Sequence, residues 1–442
     1  MSKAIQQIMP NIPPSSSKRI VIVGGGFAGM KLTYKLAGSG YQVVLIDKNN
    51  YHQFQPLFYQ VATAGLAPGD ISFPLRKAFK REKNIHVRMT QLEAIFPEKN
   101  EILTSAGILS YDFLVLAIGG DTNYFGNENI QKYAVPMKSV SEALYIRNKI
   151  IFNYEEALNT GDKTERQALM SVVVVGGGPT GVELAGALAE MKRYVLPKEY
   201  PNLDFSQMNV YLLEAGNRVL NGMSDKSGEM SLRFLEELGV KVFLNTAVKD
   251  YDGTNITLAE GTVLQSKTLL WAAGIKANIV PGISQEMMTK GGRLKVDETN
   301  KIIGLDNIFA IGDLASMETK GYPNGHPQVA QVAIQQAKNV AKNFLNQHKN
   351  RPWTNFTYKD RGTMATVGKN LAVVDLPYIK FQGFLAWIVW LFIHLMAIVG
   401  VKNKFNVFLN WAWNYLSLDP SLRLLIRPKS VRSDIENKDP WK

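Results

Sequence analysis

The sequence predicts an α/β fold made of two repeated strand–glycine–helix units, followed by an apolar helical C-terminal region. Three observations predict it. A β-branched run meets a glycine triplet and then a helical pattern twice, in "RIVIVGGGFAGMKL" from Arg19 and in "SVVVVGGGPTGVEL" from Ser171. Three further apolar runs, "FLVLAIGG" (113–120), "TLLWAAGI" (268–275) and "NIFAIGDLA" (307–315), read as strands of the same sheets. Near the end stands "GFLAWIVWLFIHLMAIVG" (383–400), more apolar than a surface helix of a globular domain requires.

In chain order, residues 1–17 ("MSKAIQQIMPNIPPSSS") have the Pro/Ser content of a disordered lead-in and no long apolar stretch of a secretory signal. With 442 residues, two or three domains are expected. The first unit is expected over 18–125 and 290–345, the second over 126–289, and the C-terminal region over 346–442. The net charge of +12 biases the surface toward anions such as phosphates, nucleic acid or acidic lipid. The absence of cysteine excludes disulfides, thiolate metal sites, iron–sulfur clusters and a redox dithiol. The five His are scattered at no ligand spacing, so no metal site is expected.

One G-x-G-x-x-G is a weak signal. Here each copy follows a strand and opens a helix, the setting of a Rossmann-like dinucleotide site. Gly24 and Gly176 permit the tight turn. Gly26 and Gly178 let backbone amides approach a pyrophosphate, and Gly29 and Gly181 let the helix lie against the strand. An acid closes the second strand both times, Asp47 in "VVLID" and Glu214 in "VYLLE". Asp47 follows its glycines at the usual spacing of about 20, whereas Glu214 comes later because "RYVLPKEYPNLDFSQ" extends the helix end and loop. Each acid suits a ribose diol. Glu214 would also repel a 2′-phosphate, favouring NADH, although Arg218 nearby could soften that preference. Two dinucleotides in one chain suggest a flavin and a nicotinamide, because hydride passes from one to the other.

Here a family resemblance enters. "GGGFAG", "YHQFQPLFYQVATAGLAP" (51–68), "LAIGG", "GGGPTGVELAG", "WAAGI", "FAIGD", "PQVAQVAIQ" (327–335) and "FLNWAWNYL" together resemble the type II (non-proton-pumping) NADH:quinone oxidoreductases, within the two-dinucleotide-binding-domain flavoproteins. The resemblance covers 19–416. It implies FAD in the N-terminal unit and NADH in the unit from Ser171. The FAD residues it implies are Gly24, Gly26, Phe27, Ala28, Gly29, Asp47, Lys48, His52, Gln55, Ala117, Gly119, Asp313, Gln331 and Val332, with Lys369 over the flavin edge. For NADH it implies Gly176, Gly178, Pro179, Thr180, Gly181, Glu183, Glu214, Ala273 and Gly274. Glu183 is expected near the nicotinamide and flavin as a functional acid, with a helix-start carboxylate as the plainer reading.

Beside the resemblance, the residues argue as follows. Asp313 ends a strand and could accept hydrogen bonds from a ribityl chain. The run after it is helical, with Pro327 in its first turn and Gln331 and Gln335 on one face. Without cysteine, neither a dithiol nor a sulfide:quinone chemistry is available. "YHQFQPLFYQ" offers an apolar slot with polar groups, as a quinone ring requires. Tyr59, Gln60, Gln331 and Gln335 are its candidate donors.

Residues 384–399 are interrupted only by His394 and fall short of the ~20 residues of a spanning helix. Downstream, Trp, Lys and Arg mix with apolar residues, the signature of a helix lying in the interface. A C-terminal amphipathic or apolar helical membrane anchor is therefore expected, contacting the bilayer through 380–430, with a single span at 383–401 as the open alternative. Segment 73–90, with six Lys and Arg against one Glu, would add attraction to anionic lipid. Quinone and lipid are thus the expected partners, on the cytoplasmic face of a bacterial inner membrane; a homodimer stays open, and no nucleic acid is expected. Two other readings remain: a soluble NADH-dependent reductase of a small redox protein, and a flavin-bearing interaction protein.

Overall fold

The computed structural model describes residues 7–278, 281–417 and 423–425. Within them the chain forms two compact units. The first contains Met1–Gln53, Phe73–Asp121 and Ile275–Asp360; the second contains Phe54–Ser72, Thr122–Gly274 and Arg361–Lys442. Sequence spacing assigned 54–72 to the first unit and made the C-terminal region separate. In the structure 54–72 and the chain from Arg361 belong to the second unit, for reasons of packing given below, while 346–360 belongs to the first.

The first unit holds a five-stranded parallel sheet in the order Ile308–Ala310, Phe113–Leu116, Arg19–Val23, Gln42–Asp47, Ile85–Met89. Its central strands are Val, Ile and Leu almost throughout and are buried on both faces, as a parallel sheet covered on two sides demands. The helices Phe27–Leu36 and Ala330–His348 share a core with that sheet, through Met30, Leu32, Leu36, Ala337, Val340 and Phe344. The second helix begins at Ala330, so Pro327 precedes it instead of lying in its first turn.

The lead-in is ordered where it is described. Met9 is buried, its amide donates to the Ile108 carbonyl at 2.8 Å, and the Pro13 carbonyl accepts from Gln42 Nε2 at 2.7 Å. Composition suggested disorder; one buried Met and two backbone contacts overrule it.

The second unit repeats the plan, with parallel strands in the order Val135–Pro136, Thr268–Trp271, Val172–Val175, Val210–Leu213, Lys241–Phe243. Its glycine helix, Pro179–Glu190, runs into a π turn at Met191–Val195 and a short helix at Leu196–Glu199. That is the surplus chain that delays Glu214.

The strand Thr363–Gly368 crosses the same helix so closely that a Cβ on Gly186 would lie 1.6 Å from the Val367 carbonyl oxygen. It pairs antiparallel with Leu371–Asp375, which in turn pairs with Lys380–Gln382. Helix Phe384–Ala397 follows and buries Ala386 and Trp390. The chain then breaks at Ile398 and Gly400, which has φ +91°, and resumes as helix Val401–Ser417. Asn403, Asn406, Asn410 and Asn414 of this last helix donate to Ser72, Asp70 and Gly65, which is why 54–72 packs with this unit.

The 14-residue helix Phe384–Ala397 is about 21 Å long at ~1.5 Å per residue. Among the described residues, no helix is long and apolar enough to cross a membrane. The first residues of the lead-in and the basic run beyond 425 lie outside the described residues.

Candidate active site

Both glycine loops are built for close backbone approach. Gly24 has φ +107° and Gly176 φ +109°, conformations that side chains resist. A Cβ at Gly29 would lie 1.7 Å from the Gly24 carbonyl oxygen, and one at Gly181 would lie 1.8 Å from that of Gly176. Gly26 and Gly178 differ: an added Cβ there meets nothing within 4 Å. Each therefore borders open space at a helix N-terminus, the cradle a pyrophosphate would fill.

The two acids lie where the repeat demands. The Gly25 amide donates to Asp47 Oδ2 at 2.6 Å, and the Gly177 amide to Glu214 Oε2 at 2.5 Å. Asn49 and Gly216 amides hold the other oxygens, at 2.6 Å and 2.7 Å. Burial raises the Asp47 pKa, against the Asn49 and Gly25 amides. Both cradles accordingly fit a dinucleotide with its ribose at the carboxylate. Arg218 is bound to Asp225, to the Asn221 side chain and to the Asn221 and Met223 carbonyls, so it is committed to its own loop.

Around the first cradle, Ala117 comes against Gly24, while Gly119 has φ +66°. His52 is buried, its Nδ1–H donates to the Gly25 carbonyl at 2.9 Å, and its ring meets Phe27 edge-on. Burial lowers the His52 pKa. Ala28 is buried and Lys48 is exposed. Asp313 follows Gly312, and its carbonyl accepts from Gln328 Nε2 at 2.9 Å. Val332 is buried, and Gln331 is in the first turn of its helix.

Gln335 is tied to Lys359 at both ends: its Nε2 donates to the Lys359 carbonyl at 2.9 Å and its Oε1 accepts the Lys359 amide at 3.1 Å. The expectation of Gln335 as a free donor therefore meets an existing pair of bonds. The glutamine that sequence reasoning missed is its neighbour Gln336. It is fully buried, its Oε1 accepts the Gly312 amide at 2.8 Å, and its Nε2 has no partner among the described residues. The signal was a polar side chain on the buried stripe of Val332, Ala333, Ala337 and Val340.

In the second unit Pro179 and Thr180 are exposed at the helix start, and Ala273 and Gly274 follow the Thr268–Trp271 strand. Gln55 is exposed at a one-turn 3₁₀ helix of this unit. Here the structure gathers four expected residues, Tyr59, Gln60, Glu183 and Lys369, around one cavity of about 190 Å³. Trp387, Trp390, Trp411 and Tyr415 of the two C-terminal helices line it too.

Glu183 is in the second helical turn and 8% exposed, so a helix-start carboxylate is not what it is. Burial pushes its pKa up to about 8, against the pull of the Thr366 amide and the Trp390 indole. Trp390 Nε1 is buried and its N–H is directed to the Glu183 carboxyl. Burial and the nearby Glu183 carboxylate raise Tyr59 well above the ordinary phenol value, against its hydrogen bond with Gln60. Lys369 Nζ donates to the Tyr415 carbonyl at 2.8 Å and sits 4.0 Å above the Tyr415 ring.

The cavity thus offers a neutral carboxylic acid, a neutral phenol and a buried indole N–H among aromatic walls. That set can bind a flat, apolar carbonyl compound and give it protons.

Comparison with known proteins agrees. Residues 18–337 match the family model described as pyridine nucleotide-disulphide oxidoreductase, and residues 361–417 match the NDH2 C-terminal domain. The chain is 35% identical to the type II NADH:quinone oxidoreductase Ndh of Mycobacterium tuberculosis, over 92% of this chain and 90% of that protein. It is 30% identical to the type II NADH:quinone oxidoreductase of Haemophilus influenzae, over 81% and 87%. The structure of NDH2 from Plasmodium falciparum in complex with NADH has the same fold, with a TM-score of 0.86 at 23% identity, covering 93% of this chain and 100% of that one. The chain belongs to the type II NADH:quinone oxidoreductases.

Proposed function

We propose that the protein carries two electrons from NADH through FAD to a quinone drawn from the membrane on which it rests, without pumping protons. One observation carries the acceptor half of this reading: Tyr59, Glu183 and the Trp390 indole converge on a single aromatic cavity. Bound FAD supplies the two-electron exchange between hydride donor and quinone.

The chain's own residues do the rest. Asp47 and Glu214 hold the two riboses. Glu214 carries a charge unfavourable to a 2′-phosphate, and Arg218 is occupied by Asp225, so NADH is preferred over NADPH. Tyr59 donates its O–H to one quinone oxygen. Glu183, neutral near pH 7, holds a proton for the quinol.

Membrane attachment is supported by the two C-terminal helices. Phe384, Leu385, Phe392 and Met396 on the first, and Val401, Phe405, Phe408, Trp413 and Leu416 on the second, are each more than half exposed. A water-facing surface of that kind is costly, and a bilayer interface relieves the cost. The attachment is monotopic, on the cytoplasmic face of a bacterial inner membrane, where NADH is available.

The test is purification in detergent. The protein should show a flavin spectrum, oxidise NADH with a short-chain quinone and form NAD⁺ and quinol one for one. A colourless protein, or one that NADH reduces but no quinone reoxidises, would refute the reading.

A further inference from the structure

The Glu183 cavity contains a second carboxylic acid with no assigned task. Glu190 lies seven residues further along the same helix, so the two side chains share one face. Both line the cavity. Glu183 is buried, whereas Glu190 is partly exposed. The outer acid is therefore the more exposed of the two.

Glu190 Oε1 accepts the Lys369 amide at 2.6 Å, and no hydrogen bond to its other oxygen is made by a described residue. The Lys369 ammonium is turned away to the Tyr415 carbonyl, so it does not neutralise Glu190 through a direct ion pair. Burial raises the Glu190 pKa, against the Lys369 amide and charge.

Reduction of a quinone by NADH makes two O–H bonds. The hydride brings two electrons and one proton, and the second proton comes from water. We infer that Glu190 is the outer station of the route that brings this proton from solvent to Glu183. The inference rests on the quinone reading above.

Seven helical residues separate the two carboxyls by about 10.5 Å along the axis, too far for direct transfer over the ~3 Å of a hydrogen bond. Tyr59 lines the same cavity as both acids. Its phenol feels both carboxylates, and the cavity they line has room for waters. In each turnover Glu183 gives its proton to the nascent quinol oxygen; once the quinol leaves and frees the Tyr59 O–H, Glu190 resupplies Glu183 through Tyr59 and water. Glu190 then takes a proton from solvent at the Lys369–Tyr415 mouth. No charge is left behind, and no co-reactant beyond water is consumed. The titratable groups facing Glu190 are Lys369 on the strand turn, Tyr59 and Glu183 as described, Tyr194 on the π turn and Tyr415 on the last helix.

The test compares two electron acceptors in the full-length holoenzyme. Ferricyanide takes electrons without protons; a short-chain quinone needs both. Glu190→Gln should lower quinone kcat about tenfold at pH 8.5 and less at pH 6, while NADH:ferricyanide turnover stays within twofold. Glu190→Asp, or a small diffusible acid such as imidazolium added to Glu190→Gln, should restore most of the quinone rate. Native quinone kcat in Glu190→Gln from pH 6 to 9 would overturn the relay, as would an equal loss with both acceptors. Failure of the native protein to reduce quinone while reducing ferricyanide would instead sink the functional reading, and the relay with it.

Discussion

Trp411 Nε1 donates to Gln60 Oε1 at 2.7 Å. An indole nitrogen only donates, so this bond fixes which end of the Gln60 amide is oxygen. The Nε2 end then donates to the Tyr59 oxygen at 2.8 Å. Tyr59, already an acceptor there, has its own O–H proton left to point elsewhere. A tryptophan of the last helix thus orders the proton of a tyrosine in the active cavity.

Trp411→Phe keeps the ring and removes the donor. Gln60 can then turn over and compete for the Tyr59 proton. Quinone kcat/KM should fall roughly tenfold, the ~1.4 kcal/mol of one hydrogen bond in a closed site. NADH:ferricyanide turnover measures the flavin half separately, and an equal loss there would refute the assignment.

The raised Glu183 pKa has a signature in stability. An acid whose pKa rises from 4.5 to about 8 on folding binds its proton more tightly when folded. Its contribution is full below the unfolded value and is lost as pH rises from 4.5 toward 8. Gln cannot titrate. The Tm of Glu183→Gln minus that of the native holoenzyme should therefore grow by roughly a few degrees between pH 5 and pH 9. A difference constant across that range would show that Glu183 titrates normally.

The two kinds of glycine in each loop should fail differently. Gly29→Ala and Gly181→Ala drive a Cβ into a carbonyl and should yield little folded protein. Gly26→Val and Gly178→Val meet no protein atom at Cβ and should fold, the first without FAD and the second without tight NADH binding. Flavin absorbance per chain and NADH titration report the two losses. Full flavin content in Gly26→Val would place the pyrophosphate elsewhere.

Glu214→Ser with Asp225→Asn removes the repelling carboxylate and releases Arg218. One close charge near a protein surface is worth about 1–4 kcal/mol. The preference for NADH over NADPH, as a ratio of kcat/KM values, should drop tenfold or more. An unmoved ratio would mean that neither residue faces the ribose.

Deleting the C-terminal helices is a poor test of membrane binding, because it also removes Trp390 and Trp411 from the cavity. Phe392→Ser, Phe408→Ser and Trp413→Ser together alter only exposed side chains. Each aromatic ring is worth about 1.5–3 kcal/mol on burial, so vesicle partitioning should weaken at least a hundredfold. Flavin content and ferricyanide turnover should persist. Unchanged sedimentation with vesicles would show that these helices do not meet lipid.

Much of this was legible in the sequence because it is local. The glycine loops, Asp47, Glu214 and the five central strands are written in contiguous runs whose chemistry is backbone chemistry. What stayed hidden joins distant residues. Nothing in "YHQFQPLFYQ" announces that Gln60 is bound to Trp411, since that pair exists only after the last helix packs. Glu190 looks like an ordinary helix end until Lys369 and Tyr415 close around it. Gln336 was legible in principle as a polar break in an apolar stripe. The tie of the lead-in at Met9 was not legible because composition reports average solvation, whereas a single buried side chain acts locally.

The walls of the electron exit are contributed from the far end of the chain. Trp387, Trp390, Trp411 and Tyr415 leave the ribosome after both nucleotide loops have been made. The first nucleotide unit itself waits for Ile308–Ala310 and the helix Ala330–His348, so the aromatic walls are the last part of the machinery to be made.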